Sequence, residues 1–129
     1  MATNDPPQKT LQVQDHEALR TFETWLVESA HSDHQGVEVC TDSALRDKMH
    51  QLCETLTIID KDPQSYVVLK APGQRAIPMV VKDKPIILIA VQEQGDLKIN
   101  NQPLNGYWTN LYETADLTGS GSVVVLIPR

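Results

Sequence analysis

Two short runs set the terms for any fold this chain can adopt. Ile86–Val91 and Val123–Ile127 are apolar at every position. Successive side chains of a strand leave on opposite faces, so a strand with no polar position wants cover on both sides. Whatever sheet holds these runs is therefore the middle of something. The layer beyond it is either the sheet curling over itself or a second protein chain, because a continuous apolar sheet face is not left to water.

The period of the pattern separates the chain into two halves. Leu19, Phe22, Trp25, Leu26 and Ala30 recur at three- and four-residue steps, which predicts a helix from an Asp15 N-cap to about Ala30. Leu45, Met49, Leu52, Cys53 and Leu56 form a second stripe, predicting a helix from about Ala44 to Leu56 with Asp42 or Ser43 as its cap. Between them, His31–Gly36 reads as an exit loop and Val37–Cys40 as a short strand. From Thr57 the period changes to that of strands. The candidates are Leu56–Ile59, Tyr66–Lys70, Ile77–Val81, Ile86–Val91, Leu97–Ile99, Trp108–Tyr112 and Ser122–Ile127, broken by turn formers such as Pro72-Gly73, Asn105-Gly106 and Gly119–Gly121.

Short connections favour antiparallel pairing over crossovers. The expected fold is α+β: two N-terminal helices packed on a mainly antiparallel, curved sheet of about five to seven strands. Residues 1–8 read as a flexible tail, since Pro6-Pro7 stops a helix and nothing there is large and apolar. Lys9–Gln14 reads as a short edge strand, and residues 9–129 as one domain.

Charge follows the same division. Residues 1–60 carry eleven acidic and four basic side chains, whereas residues 61–129 carry six and seven. The net charge of −6 and the scatter of the basic residues speak against nucleic acid, whose binding is driven by clustered Lys and Arg, and against an anionic membrane surface. The first ten residues lack an apolar segment of the kind that marks export, and no run is long enough to span a bilayer. Two cysteines do not make a disulfide framework. These features predict a soluble cytoplasmic protein with free thiols.

Constellations with chemistry are few. His31, His34, His50 and Cys53 have spacings that suit zinc, but Cys53 belongs to the apolar stripe of its helix, where a buried thiol acts as a small hydrophobe. No metal and no cofactor is expected. Cys40 or Cys53 with a histidine would supply thiolate and base, yet no signature of a cysteine enzyme is present. Gly119–Ser122 lacks the lysine and following helix of a phosphate loop. The segment Asn105–Asp116 places Tyr107, Trp108 and Tyr112 beside Glu113. Aromatic rings with polar handles are favoured at contact sites, so these four are the expected ligand or partner contacts.

The sequence thus predicts a protein-interaction module of inhibitor, immunity or adaptor type. It would act without catalysis, engaging a protein partner or a second copy through an apolar sheet face. The competing expectation is a small-molecule-binding or catalytic domain, its pocket lying between helices and curved sheet, lined by Ile87, Ile89 and Val124, with the aromatic segment at its mouth.

Overall fold

The computed structural model describes residues 8–59 and 63–127. The expected tail falls outside them except for Gln8, which opens a strand, β1 (Gln8–Thr10). The chain continues through α1 (Val13–Leu26), β2 (His31–His34), β3 (Val37–Cys40), α2 (Leu45–Thr55), β4 (Ser65–Pro72), β5 (Ile77–Met79), β6 (Ile86–Ala90), β7 (Lys98–Ile99), β8 (Gln102–Pro103), β9 (Tyr107–Leu111), β10 (Ala115–Thr118) and β11 (Ser120–Ile127).

The fold is α+β, with more strand than helix. Seven strands form one antiparallel sheet in the order β1-β9-β6-β11-β4-β3-β2, and four form another in the order β5-β10-β7-β8. The fully apolar runs are β6 and β11, adjacent at the centre of the larger sheet, with Val124 opposite Ile89 and Val125 opposite Leu88.

Both faces of these strands are covered from within the chain. Ile87, Ile89, Val124, Leu126 and Val68 pack with Leu19, Phe22 and Leu26 of α1 and Met49, Leu52 and Cys53 of α2. On the other side Leu88, Ala90, Val123 and Val125 pack with Met79, Ile99, Ala115 and Leu117 of the four-stranded sheet. The expectation that a partner or a second copy would cover an apolar sheet face is corrected here: the second sheet does so. It is assembled from the long connections between main-sheet strands. Its strands have only two to four residues each; β5 and β7 lie within the expected strands Ile77–Val81 and Leu97–Ile99, whereas β8 and β10 show no strand period.

Two glycines let the chain pass between the sheets. Gly119, at φ +89°, separates β10 from β11, and a Cβ there would collide with the Asp96 carbonyl. Gly121, at φ +140°, leaves room for Leu97 and for the side-chain oxygen of Gln92.

The helix ends differ from expectation for local reasons. The N-cap of α1 is Gln12, and Asp15 sits three residues on, where its carboxylate accepts the Gln12 backbone N–H at 2.9 Å. The helix stops at Leu26 and not Ala30, because the Ser29 hydroxyl donates to the Leu26 carbonyl at 2.7 Å. The Asp42 carboxylate then takes the Ala30 N–H at 3.0 Å and bends the chain into β2. His31–His34 is consequently a strand and not a loop, turning through Gln35 (φ +56°) and Gly36 (φ +89°) into β3. Its four polar residues hide it from a search for apolar alternation. The cap of α2 is Ala44, whose N–H is held by Asp42 two residues upstream. Leu56–Ile59 is not a strand; Leu56 is buried as the last member of the α2 stripe. The two helices are thus not a consecutive N-terminal pair, since β1 precedes α1 and the β2–β3 hairpin lies between them.

No described helix is long and apolar enough to cross a membrane.

Candidate functional site

Strand geometry separates the expected aromatic contacts. Tyr107 and Trp108 are neighbours on β9, so alternation sends their rings to opposite faces. Trp108 packs against the helix-side core, and the Lys9 ammonium lies 4.9 Å from its ring centroid. Tyr107 is half-buried opposite Thr10. Tyr112 and Glu113 are exposed in the bend after β9, Tyr112 with 67% of its surface in solvent. The four residues do not converge on one site.

His31 and His34 lie on β2, His50 and Cys53 on α2. Nδ1 of His31 is taken up by the Ser29 carbonyl at 3.0 Å, and Nε2 of His50 meets Glu54 one turn on at 3.0 Å. Cys40 and Cys53 are not joined in a disulfide and both are buried in the helix-side core. Among the described residues no group of three or more His, Cys, Asp or Glu is placed to hold a metal.

The proposed lining of a central pocket is solid core. Ile87, Ile89 and Val124 are buried beneath the helices, and the space above them is filled by Leu19, Phe22, Leu26 and Met49.

Several concavities open on the helical side instead. One of about 490 Å³ beside α2 is lined by Arg46, Asp47, His50, Pro63, Gln64 and Tyr66 among others; two more involve α1. The first is a groove of about 340 Å³ between α1 and α2, with Ala18, Phe22 and Leu52 as its apolar part and Glu17, Thr21, Lys48, Gln51 and Thr55 completing the lining. Glu17 is the carboxylate of its lining and Lys48 the cation; further carboxylates lie elsewhere on the helical layer. Glu17, Glu28 and Asp47 are exposed and Glu23 half-buried, and none of them has an ion-pair partner among the described residues. The hairpin adds Asp33 and Glu38, which face each other across β2 and β3 on the same side of the sheet as the helices. Of the cations on this side, Arg20 is bound to Glu93 at 3.0 Å.

The second is a smaller cleft of about 210 Å³ at the C-terminal end of α1, lined by Glu23, Leu26, Val27, His31, Glu38, Lys70, Gln92 and Ser122. Here the helices no longer cover the larger sheet, and its face turns polar. Glu38 lies opposite Lys70, and Lys70 opposite Ser122, so the three form a row across β3, β4 and β11. Gln92 closes the row: its side-chain oxygen accepts the Ser122 backbone N–H at 3.2 Å. Sequence reasoning missed this group because its members come from four separate strands or their ends. Its only trace is that Lys70 and Ser122 are polar positions at the ends of otherwise apolar strand faces.

Two carboxyls on the molecule are held below the ordinary carboxylate value. Asp42 is stabilised as an anion by the backbone N–H groups of Ala44 and Ala30, with a smaller contribution from His31. Asp96 is stabilised chiefly by the Ser120 N–H, then by its own backbone, the Ser120 hydroxyl and Lys98. Both tie one element to another and neither opens on a cleft.

No family model, curated protein or solved structure matches this chain.

Proposed function

We propose that the protein is an interaction module, of the inhibitor, immunity or adaptor kind, that docks a basic protein partner on its helical layer. The observation that carries this reading is the set of carboxylates on the helical layer without ion-pair partners among the described residues: Glu17 in the lining of the groove, Glu23 on α1, Glu28 just after it and Asp47 on α2. Charges left unpaired on one side of a protein steer an oppositely charged partner and set which partner is accepted. The groove supplies what charge alone does not: an apolar seat at Ala18, Phe22 and Leu52 for an anchoring side chain. The reading needs no catalysis and no cofactor, and it places the protein in a reducing, cytoplasmic setting that would keep Cys40 and Cys53 as thiols.

The test compares the wild-type protein with the triple variant Glu17→Gln, Glu28→Gln, Asp47→Asn as bait in extract of the native host. A basic protein should be retained by the wild type at low ionic strength, released by high salt and not retained by the variant. Identical captures by the two baits would remove the proposal. Reconstitution from the two purified proteins, with a lower association rate for the variant, would complete it.

A further inference from the structure

The cleft at the end of α1 is independent of the groove. We propose that it binds a small zwitterion of amino-acid size, with the anionic group held by Lys70, Ser122 and Gln92 and the cationic group by Glu23 and Glu38.

The order of the strands sorts the lining by hydrogen-bonding character. Moving across the sheet from β2 through β3, β4 and β11 to the end of β6, the cleft meets His31, Glu38, Lys70, Ser122 and Gln92. The acceptors are at one end. Glu38 is a carboxylate and Glu23 adds another from α1. The donors are at the other end. Lys70 brings an ammonium and Ser122 a hydroxyl. The side-chain oxygen of Gln92 is engaged by the Ser122 N–H, so its NH₂ group is the part left to donate. A ligand with one positive and one negative group fits this polarity in one orientation only. Leu26 and Val27 supply the apolar part of the lining.

Ser122 lines the cleft with 8% of its surface exposed, and among the described residues no buried side-chain polar atom lacks a partner. Its hydroxyl at the cleft wall is a further donor for the anionic end of a ligand. The Gln92 amide beside it is held in position, because Gly121 leaves space for its oxygen that a Cβ would crowd at 3.3 Å. The size limits the ligand. About 210 Å³ is the liquid volume of roughly seven waters, enough for a free amino acid and short of a nucleotide.

The experiment is a ¹⁵N–¹H NMR titration of the full chain with each of the protein amino acids, γ-aminobutyrate and glycine betaine, up to about 10 mM. The expected result is that at least one zwitterion moves both the Gln92 side-chain NH₂ and the Ser122 amide resonances. Its affinity should fall about tenfold or more in Lys70→Met and in Glu38→Gln, the loss of one charge-assisted hydrogen bond in each. Both residues are exposed, so the variants should keep the wild-type unfolding curve. The matched amine without the carboxylate, and the matched acid without the amine, should each bind at least tenfold more weakly. The proposal is overturned if no compound moves those resonances, if a half-ligand binds as tightly as the zwitterion, or if the two variants bind like wild type. None of the substitutions in the docking test lines this cleft, so each idea can fail without the other.

Discussion

Asp15 and Thr57, 42 residues apart in the chain, are joined by two hydrogen bonds: the Thr57 backbone N–H donates to Oδ1 at 2.7 Å and its hydroxyl to Oδ2 at 2.8 Å. The same carboxylate accepts the Gln12 N–H at the start of α1. One buried side chain thus fixes where α1 begins and where the chain leaves α2. Replacing it strands three donors at once. We expect Asp15→Ala to cost about 2 kcal/mol, and Thr57→Val, which loses only the hydroxyl, about 1 kcal/mol. Urea denaturation of the two variants and the double mutant checks this; the double mutant should cost less than the sum, since the pair is shared.

Gly119 is the narrowest point in the passage from β10 to β11. Its φ of +89° disfavours any side chain, and a Cβ would strike the Asp96 carbonyl oxygen, which is backbone and has little freedom to move. Gly119→Ala should lower stability by roughly 3 kcal/mol. Gly106, also at positive φ, has only one neighbour at 3.4 Å, and Gly106→Ala should cost distinctly less. The difference between the two midpoints in denaturant separates collision from strain.

Acid should loosen the molecule at two identified places. Asp42 and Asp96 both have carboxyls held below their ordinary value of 3.8 by backbone N–H donors. A carboxylate whose folded value is depressed stabilises the fold above its unfolded value, and that contribution is lost as pH falls through the folded one. Stability should therefore decline as pH drops below about 4. The double variant Asp42→Asn, Asp96→Asn should show a shallower decline over the same window. Thermal unfolding measured between about pH 2 and 6 decides it, and parallel curves for variant and wild type would contradict it.

Both thiols should be silent in the native state. Cys40 and Cys53 lie inside the helix-side core, where a thiol-disulfide reagent reaches them only through opening of the structure. We expect neither to react on mixing and both to react in denaturant. A fast phase in native protein would mean that the helical layer opens readily.

What could be read in advance followed period. The two helical stripes stand out because Leu19, Phe22 and Leu26, and Met49, Leu52 and Cys53, repeat at helical spacing and are the residues buried. The main-sheet strands β4, β6, β9 and β11 stand out because each is a long apolar or alternating run. What escaped had no period to show. β2 is wholly polar, β8 has two residues and β10 only four. The helix ends depend on distant side chains, Asp42 reaching back to Ala30 and Asp15 across to Thr57. The need for a layer beyond β6 and β11 was legible in their composition, and β5 and β7 were among the expected strands; that they join a separate sheet was not legible, because β8 and β10 show no strand period. The candidate site was the least legible part. Glu38, Lys70, Gln92 and Ser122 meet only through strand order, whereas Tyr107 and Trp108, adjacent in sequence, are parted by it.

The central strands are a wall shared by two rooms. β6 and β11 send alternate side chains into the core beneath the helices and the core beneath the small sheet, so neither room has an inner wall of its own. If the helices were to peel away, the small sheet would lose the rigidity of the surface it rests on, and the reverse holds equally. Neither half can be kept while the other is discarded, and cutting the protein between helices and sandwich would leave two pieces with no stable fold.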